Sequence, residues 1–253
     1  MQEMQSLTLT AIEGLPMIKQ GDDLAGLIVS TLEAAGQRFQ HGDILTVCQK
    51  IVSKAEGRLV SLKDIEPSPL ASSFAARWDK DARAVELVLR QTNRIVRMDN
   101  AVLIVETGPG WVCANAGIDE SNSLSDDIAI LLPEDADSSA ARIRAELKRL
   151  SGAEVAVLVT DTFGRPWRDG LTEVCIGIAG MEPMLDLRGT NDLGGRELHH
   201  TVLAVADEIA AAAGLLMPKA GAVPAVLVRG YQFKSGEGSA KALIRPAASD
   251  LFR

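Results

Sequence analysis

Apolar and polar residues alternate from Leu7 to Ile12 as they do in a half-buried strand, and Gly14-Leu15-Pro16 ends the run. From Asp22 the spacing changes to threes and fours. Leu24, Leu27, Ile28 and Leu32 share one helical face, and the Asp22-Asp23 pair sits at the positive end of the helix dipole. Asp43 to Cys48 has the length and apolar continuity of a buried strand, and it runs into Gln49-Lys50 and Ser53-Lys54, two lysines just beyond a strand end. Ser68 to Trp78 and Ala82 to Arg90 have helical spacing. Ala101 to Glu106 and Trp111 to Ala116 flank Gly108-Pro109-Gly110, the pattern of a hairpin, and the second run leads into Gly117-Ile118-Asp119.

Asp137-Ser138-Ser139 predicts the cap of a helix carrying Ile143, Leu147 and Leu150 that stops at Gly152. Val155 to Val159 is an apolar, β-branched run typical of a strand covered on both faces, and it ends in Thr160-Asp161-Thr162. Leu198 to Met217, rich in Ala and apolar nearly all round, predicts a buried helix, and Val223 to Val228 a last buried strand. There is no internal repeat, linker-like stretch or charge block, so residues 1–253 are read as a single domain. Strands and helices are interspersed without a strict βαβ beat, which predicts an α+β fold of mixed sheets with packed helices.

A chain of 253 residues with 47% hydrophobic and 24% charged positions can bury a sizeable core without staples. Lys and Arg total 26 against 34 Asp and Glu, a formal charge of −8, and a field of that sign repels a phosphate backbone. Nucleic acid is therefore not expected as a partner, and a small anionic ligand needs a local reversal of sign. Three dispersed cysteines, Cys48, Cys113 and Cys175, fit neither a disulfide framework nor a thiolate zinc site and suit a reducing cytoplasm. The N-terminal residues lack the layout of a secretory signal. The longest uncharged apolar stretch, Ile209 to Pro218, is about half a membrane span, so no membrane partner is expected.

No Walker phosphate loop, GxGxxG turn, HExxH or Gly-x-Ser-x-Gly is present; the nearest approach to the first, Gly189 to Gly195, has Gly-Arg where Lys-Ser/Thr should stand. His199 and His200 are adjacent on the predicted helix and point in different directions, which argues against a shared metal. Two polar clusters carry candidate chemistry. Asn115-Ala-Gly-Ile-Asp119-Glu120-Ser121-Asn122 concentrates hard oxygen donors on a Gly-containing turn, either as ligands for Mg²⁺ or Mn²⁺ or as solvated turn residues. Thr160-Asp161-Thr162, followed by Arg165 and Arg168, sets a carboxylate beside hydroxyls with two guanidiniums that could grip phosphate or carboxylate oxygens, unless these are a turn and solvated arginines. Lys50 and Lys54 could act as point charges for phosphate.

In order along the chain, Gly14-Leu15-Pro16-Met17-Ile18, Gln49 to Arg58, Asn115 to Asn122, Thr160 to Arg168, Asp192 to Glu197, Ala206-Asp207-Glu208 and Val228-Arg229-Gly230 resemble the F420-0:gamma-glutamyl ligase family over essentially the whole sequence. The resemblance implies GTP-dependent addition of L-glutamate, through gamma linkages, to the deazaflavin precursor coenzyme F420-0 by way of an acyl phosphate. It also implies Mg²⁺ or Mn²⁺, K⁺ as a further activator, and an intertwined homodimer. By position it makes Asp119, Asp161 and Thr162 metal ligands, and Leu15, Pro16, Met17, Ile18, Gln49, Lys50, Lys54 and Asn122 contacts to GTP. Arg165 and Arg168 are the catalytic candidates, for the substrate phosphate or carboxylates. One departure stands out: Lys219 replaces an acidic or amide residue that helps hold metal in archaeal members. Either Lys219 touches nucleotide phosphate in place of part of the metal charge, or a second metal binds more weakly. Competing readings are a metal-dependent nucleotide phosphohydrolase or phosphotransferase, and a non-catalytic GTP-binding relative.

Overall fold

The computed structural model describes residues 6–119, 127–219 and 221–250. β1 (Thr8–Ala11) is followed by a loop and by α1 (Leu24–Ala34), whose cap Asp23 accepts the Gly26 N–H at 3.0 Å. β2 (Ile44–Cys48) passes directly into α2 (Gln49–Ala55), and β3 (Leu59–Ser61) comes next. α3 (Pro69–Trp78) begins with Ser68 as cap and proline in its first turn, where the missing N–H is not needed. α4 (Ala82–Arg90), β4 (Thr92–Asp99), β5 (Val102–Thr107), β6 (Val112–Ala114) and β7 (Ile128–Ile130) follow. α5 (Ala136–Ser151) ends on Gly152 in the left-handed region, φ 73°. β8 (Ala156–Arg165) and β9 (Arg168–Ala179) form one long hairpin; β10 (Leu185–Asp186), β11 (Val202–Leu203), α6 (Val205–Gly214) and β12 (Ala225–Arg229) complete the order.

A five-stranded sheet in the order β1-β12-β2-β8-β9 is antiparallel except for the parallel pair β2 and β8. Its strands, α1, α5 and α6 supply the main core. α3 and α4 cover the three-stranded meander β4-β5-β6 and close a second cluster around Phe74, Val88 and Leu103. A third, around Leu62, Leu87 and Leu131, lies beside the β3–β7 pair. The mixed α+β class is as expected. No helix among the described residues is long and apolar enough to cross a membrane, and all three cysteines are free thiols.

Several elements differ from the sequence pattern. The helix predicted over Leu198 to Met217 shrinks to Val205–Gly214, because Val202 and Leu203 pair with Asp186 and Leu185 instead of joining the helix. Beyond Gly214, Leu215, Leu216 and Met217 each bond the carbonyl three residues back, a tight turn that ends at Pro218. Asp135, not Asp137, caps α5. Asp137 is turned inward, where its carboxylate accepts the N–H groups of Ile178 at 2.9 Å and Ala240 at 3.0 Å and the Ser239 hydroxyl at 2.5 Å. The strand ending in Thr160-Asp161-Thr162 continues to Arg165, because β9, which no alternation signals, extends the ladder.

β9 lies hard against the first turn of α5. A Cβ on Gly177 would fall 2.4 Å from the Ala136 carbonyl carbon and oxygen. Only glycine permits that approach, so Gly177→Ala is expected to lower stability by about 1–3 kcal/mol, measured by urea denaturation; an unchanged midpoint would show that α5 can retreat.

Candidate functional site

A cavity of about 480 Å³ opens beyond Cys48, where β2 ends and its parallel pairing with β8 stops at Thr160. In open sheets, ligands characteristically bind beyond the carboxyl ends of parallel strands. One wall is the Leu15–Ile18 loop, tied down because the Gly21 N–H donates to the Ala55 carbonyl at 2.9 Å, at the end of α2. The floor is Cys48, Lys50, Ile51 and Lys54; the lysines are four apart on α2 and so share a face. Val223 and Pro224 close another side, held by the 2.8 Å bond from the Cys48 N–H to the Pro224 carbonyl. Met217-Pro218-Lys219, just past α6, and Glu173 of β9 complete it.

Ammonium groups meet carboxylates on one side of this cavity. Lys50 pairs with Asp119, which an antiparallel bridge to Ile130 holds in place, with bonds of 2.8 and 3.0 Å. Thr162 and Glu173 face each other directly across the β8–β9 ladder. The Thr162 hydroxyl donates to the Glu173 carboxylate and accepts from the Lys219 ammonium, which is also 3.9 Å from Glu173. Lys54 is held below its ordinary pKa by burial and by Lys50. An anion entering the cavity would relieve that lysine–lysine repulsion. Burial pushes the Cys48 thiol up to about 11, which leaves it a neutral wall rather than a nucleophile.

Burial also pushes Asp161 up to about 7; the charges of Glu173 and Asp119 add to the effect, and the Thr162 N–H and Lys219 oppose it. Asp119, Asp161 and Thr162 offer hard oxygen donors, the chemistry that suits Mg²⁺ or Mn²⁺ rather than a soft ion. No group of three or more His, Cys, Asp or Glu among the described residues is gathered tightly enough to hold a metal by itself. A cation here would therefore complete its shell with water and ligand oxygens, as Mg²⁺ commonly does.

Of the residues singled out in the sequence, Leu15, Pro16, Met17, Ile18, Lys50, Lys54 and Lys219 line one cavity. Asp119 and Thr162 reach it through their lysine partners. Gln49 does not: its side chain is fully buried, and its carbonyl oxygen accepts the Ser53 hydroxyl at 3.0 Å. Arg165 and Arg168 pair with each other across the exposed hairpin tip, outside the cavity walls. Asn122 lies outside the described residues. Sequence reasoning missed Glu173, whose place becomes evident only from its register opposite Thr162.

In the protein free of metal, the Asp161 carboxyl is expected to titrate near pH 7, read as the carboxyl ¹³C shift that disappears in Asp161→Asn; a midpoint near 4 would show a well-hydrated carboxylate.

The chain matches the family model described as F420-0:Gamma-glutamyl ligase over residues 14–230. It is similar to proteins named Coenzyme F420:L-glutamate ligase from three organisms. With that of Methanothermobacter thermautotrophicus it is 46% identical over 250 residues, 98% of this chain and 99% of the relative. The protein of Methanopyrus kandleri is 44% identical, with 99% of this chain and 100% of the relative covered. That of Archaeoglobus fulgidus is 45% identical, covering 96% and 94%. Matches of this extent run through both the sheet that frames the cavity and the residues that charge it, and the chain belongs to the F420-0:gamma-glutamyl ligase family.

Proposed function

We propose that this protein is a GTP-dependent ligase that joins L-glutamate to coenzyme F420-0 through a gamma linkage, acting as one domain. The observation that carries this reading is the lining of the cavity. It combines three lysines, Lys50, Lys54 and Lys219, with the apolar side chains of Leu15, Met17, Ile51, Met217 and Val223. That mixture suits a ligand with a polyanionic part and a flat, weakly polar one, which describes a nucleoside triphosphate.

A carboxylate and an amine do not condense in water without activation. In this reading the γ-phosphoryl group of GTP passes to a carboxylate of F420-0, the bond to the β-phosphate oxygen breaks, and GDP leaves. The glutamate nitrogen then attacks the acyl carbon of the resulting acyl phosphate; inorganic phosphate departs and the amine proton goes to solvent. Lys50 and Lys54 hold the phosphates in line, and catalysis is largely position and electrostatics. Asp119 and Asp161, with Thr162 beside them, would hold Mg²⁺ or Mn²⁺, which neutralises charge on the phosphoryl oxygens; K⁺ serves as a further activator. Arg165 and Arg168 are assigned to an anionic group of the acceptor. The exposure of Trp167 (77%) and Leu171 (68%) beside these arginines supports a homodimer that covers the hairpin tip.

Mass spectrometry of F420-0 incubated with the protein, L-glutamate, GTP, Mn²⁺ and K⁺ should show products heavier by whole glutamyl residues, absent when GTP or metal is omitted. GTP turnover that ignores glutamate would instead indicate a phosphohydrolase. Lys54→Met is expected to raise the KM for GTP at least tenfold, in keeping with a charged hydrogen bond of about 1.5–3 kcal/mol; an unchanged KM would remove Lys54 from the nucleotide site. Trp167→Asp should shift the protein from dimer to monomer in sedimentation-velocity runs, and a wild type that sediments as a monomer would refute the dimer.

A further inference from the structure

Thr162, Glu173 and Lys219 form a closed arrangement. The Thr162 hydroxyl spends its one proton on Glu173, while the Lys219 ammonium occupies its oxygen from the other side. Glu173 has a side chain only 10% exposed; its carboxylate accepts the Thr162 hydroxyl, and the Lys219 ammonium lies 3.9 Å from it. A divalent cation on the Thr162 oxygen would have to displace the ammonium or bind beside it, against a like charge.

The arrangement is braced from outside. A Cβ on Gly214, the last residue of α6, would lie 2.6 Å from Glu173 Cγ and 3.2 Å from its Cβ, so the helix end presses directly on the glutamate side chain. The first turn of the same helix is pinned to β9, where the Asp207 carboxylate accepts the Cys175 N–H at 2.9 Å, two residues from Glu173. The tight turn after Gly214 then delivers Lys219 to the cavity. One helix thus fixes Glu173 at its side and aims Lys219 at its exit.

We propose that Lys219, positioned by Glu173, is a built-in counter-charge that takes the single Thr162 oxygen away from metal, so that this chain loads one divalent cation per nucleotide and not two, on Asp161 and on Asp119, whose two-oxygen carboxylate can meet both Lys50 and a metal. The proposal rests on the nucleotide and metal reading given above. Glu173 is a positioning residue here and Lys219 a determinant of cation number; of the two roles left open for Lys219, this takes the second, loss of hold on a second metal, with the ammonium on Thr162.

The test counts Mn²⁺ bound per full-length chain, after metal stripping, in the presence of the non-hydrolysable analogue guanosine 5′-(β,γ-imido)triphosphate. Electron paramagnetic resonance of unbound Mn²⁺ gives the number, and spin coupling between bound ions reports a shared site. Wild type is expected to bind one ion with no coupling, Lys219→Arg one, and Lys219→Gln two with coupling. Two ions in wild type would overturn the proposal while leaving the metal reading intact, and this count needs no variant. One ion in a Lys219→Gln protein that melts like wild type would also overturn it. No bound Mn²⁺ in wild type would refute the metal role of Asp119 and Asp161, and the proposal with it.

Discussion

The parallel pairing of β2 with β8 is the constraint on which the rest of the site depends. It sets Cys48 beside Thr160, so α2, which starts at Gln49, and Asp161, one residue further along β8, emerge at the same sheet edge. Neither strand carries a ligand-binding motif of its own. Lys50 follows one, on α2, and Asp161 lies on the other, and their proximity follows from a ladder buried on both faces, where a one-residue slip would turn every apolar side chain the wrong way. β12 adds to the same edge by delivering Val223 and Pro224 beside Cys48.

Charge at that edge is balanced locally rather than globally. The chain carries a formal charge of −8, yet Asp119, Asp161 and Glu173 stand among Lys50, Lys54 and Lys219. Each group is held near a partner it would not need in water, and the effect shows most plainly in the displaced protonation of Asp161 and Lys54. An anion entering among these lysines and a cation entering among these carboxylates would each relieve like-charge repulsion there.

Much of the frame was legible from the sequence. The apolar runs that became β2, β8 and β12 and the helical faces of α1, α3, α4 and α5 each satisfy their period locally. The lysines and aspartates were visible as polar residues placed just beyond apolar runs. What was not legible depends on partners distant in sequence. β9 is recognisable only once β8 is there to pair with it, and with β9 came Glu173. Gln49, which the resemblance makes a GTP contact, adjoins Lys50, but its side chain is buried away from the cavity lining and its carbonyl oxygen accepts the Ser53 hydroxyl. The Ala-rich stretch after Leu198 has helical composition throughout, yet the β10 partner and the bend before Pro218 trimmed it at both ends.

The short turn between Gly214 and Pro218 brings two kinds of surface to the cavity. Met217 adds an apolar side chain and Lys219 a charged one, only two residues apart on a segment stiffened by its own carbonyl bonds and by proline. A movement of one therefore moves the other. A ligand that presses on Met217 and one that draws on Lys219 would therefore be thermodynamically linked, and linkage runs equally in both directions: each would alter the hold on the other.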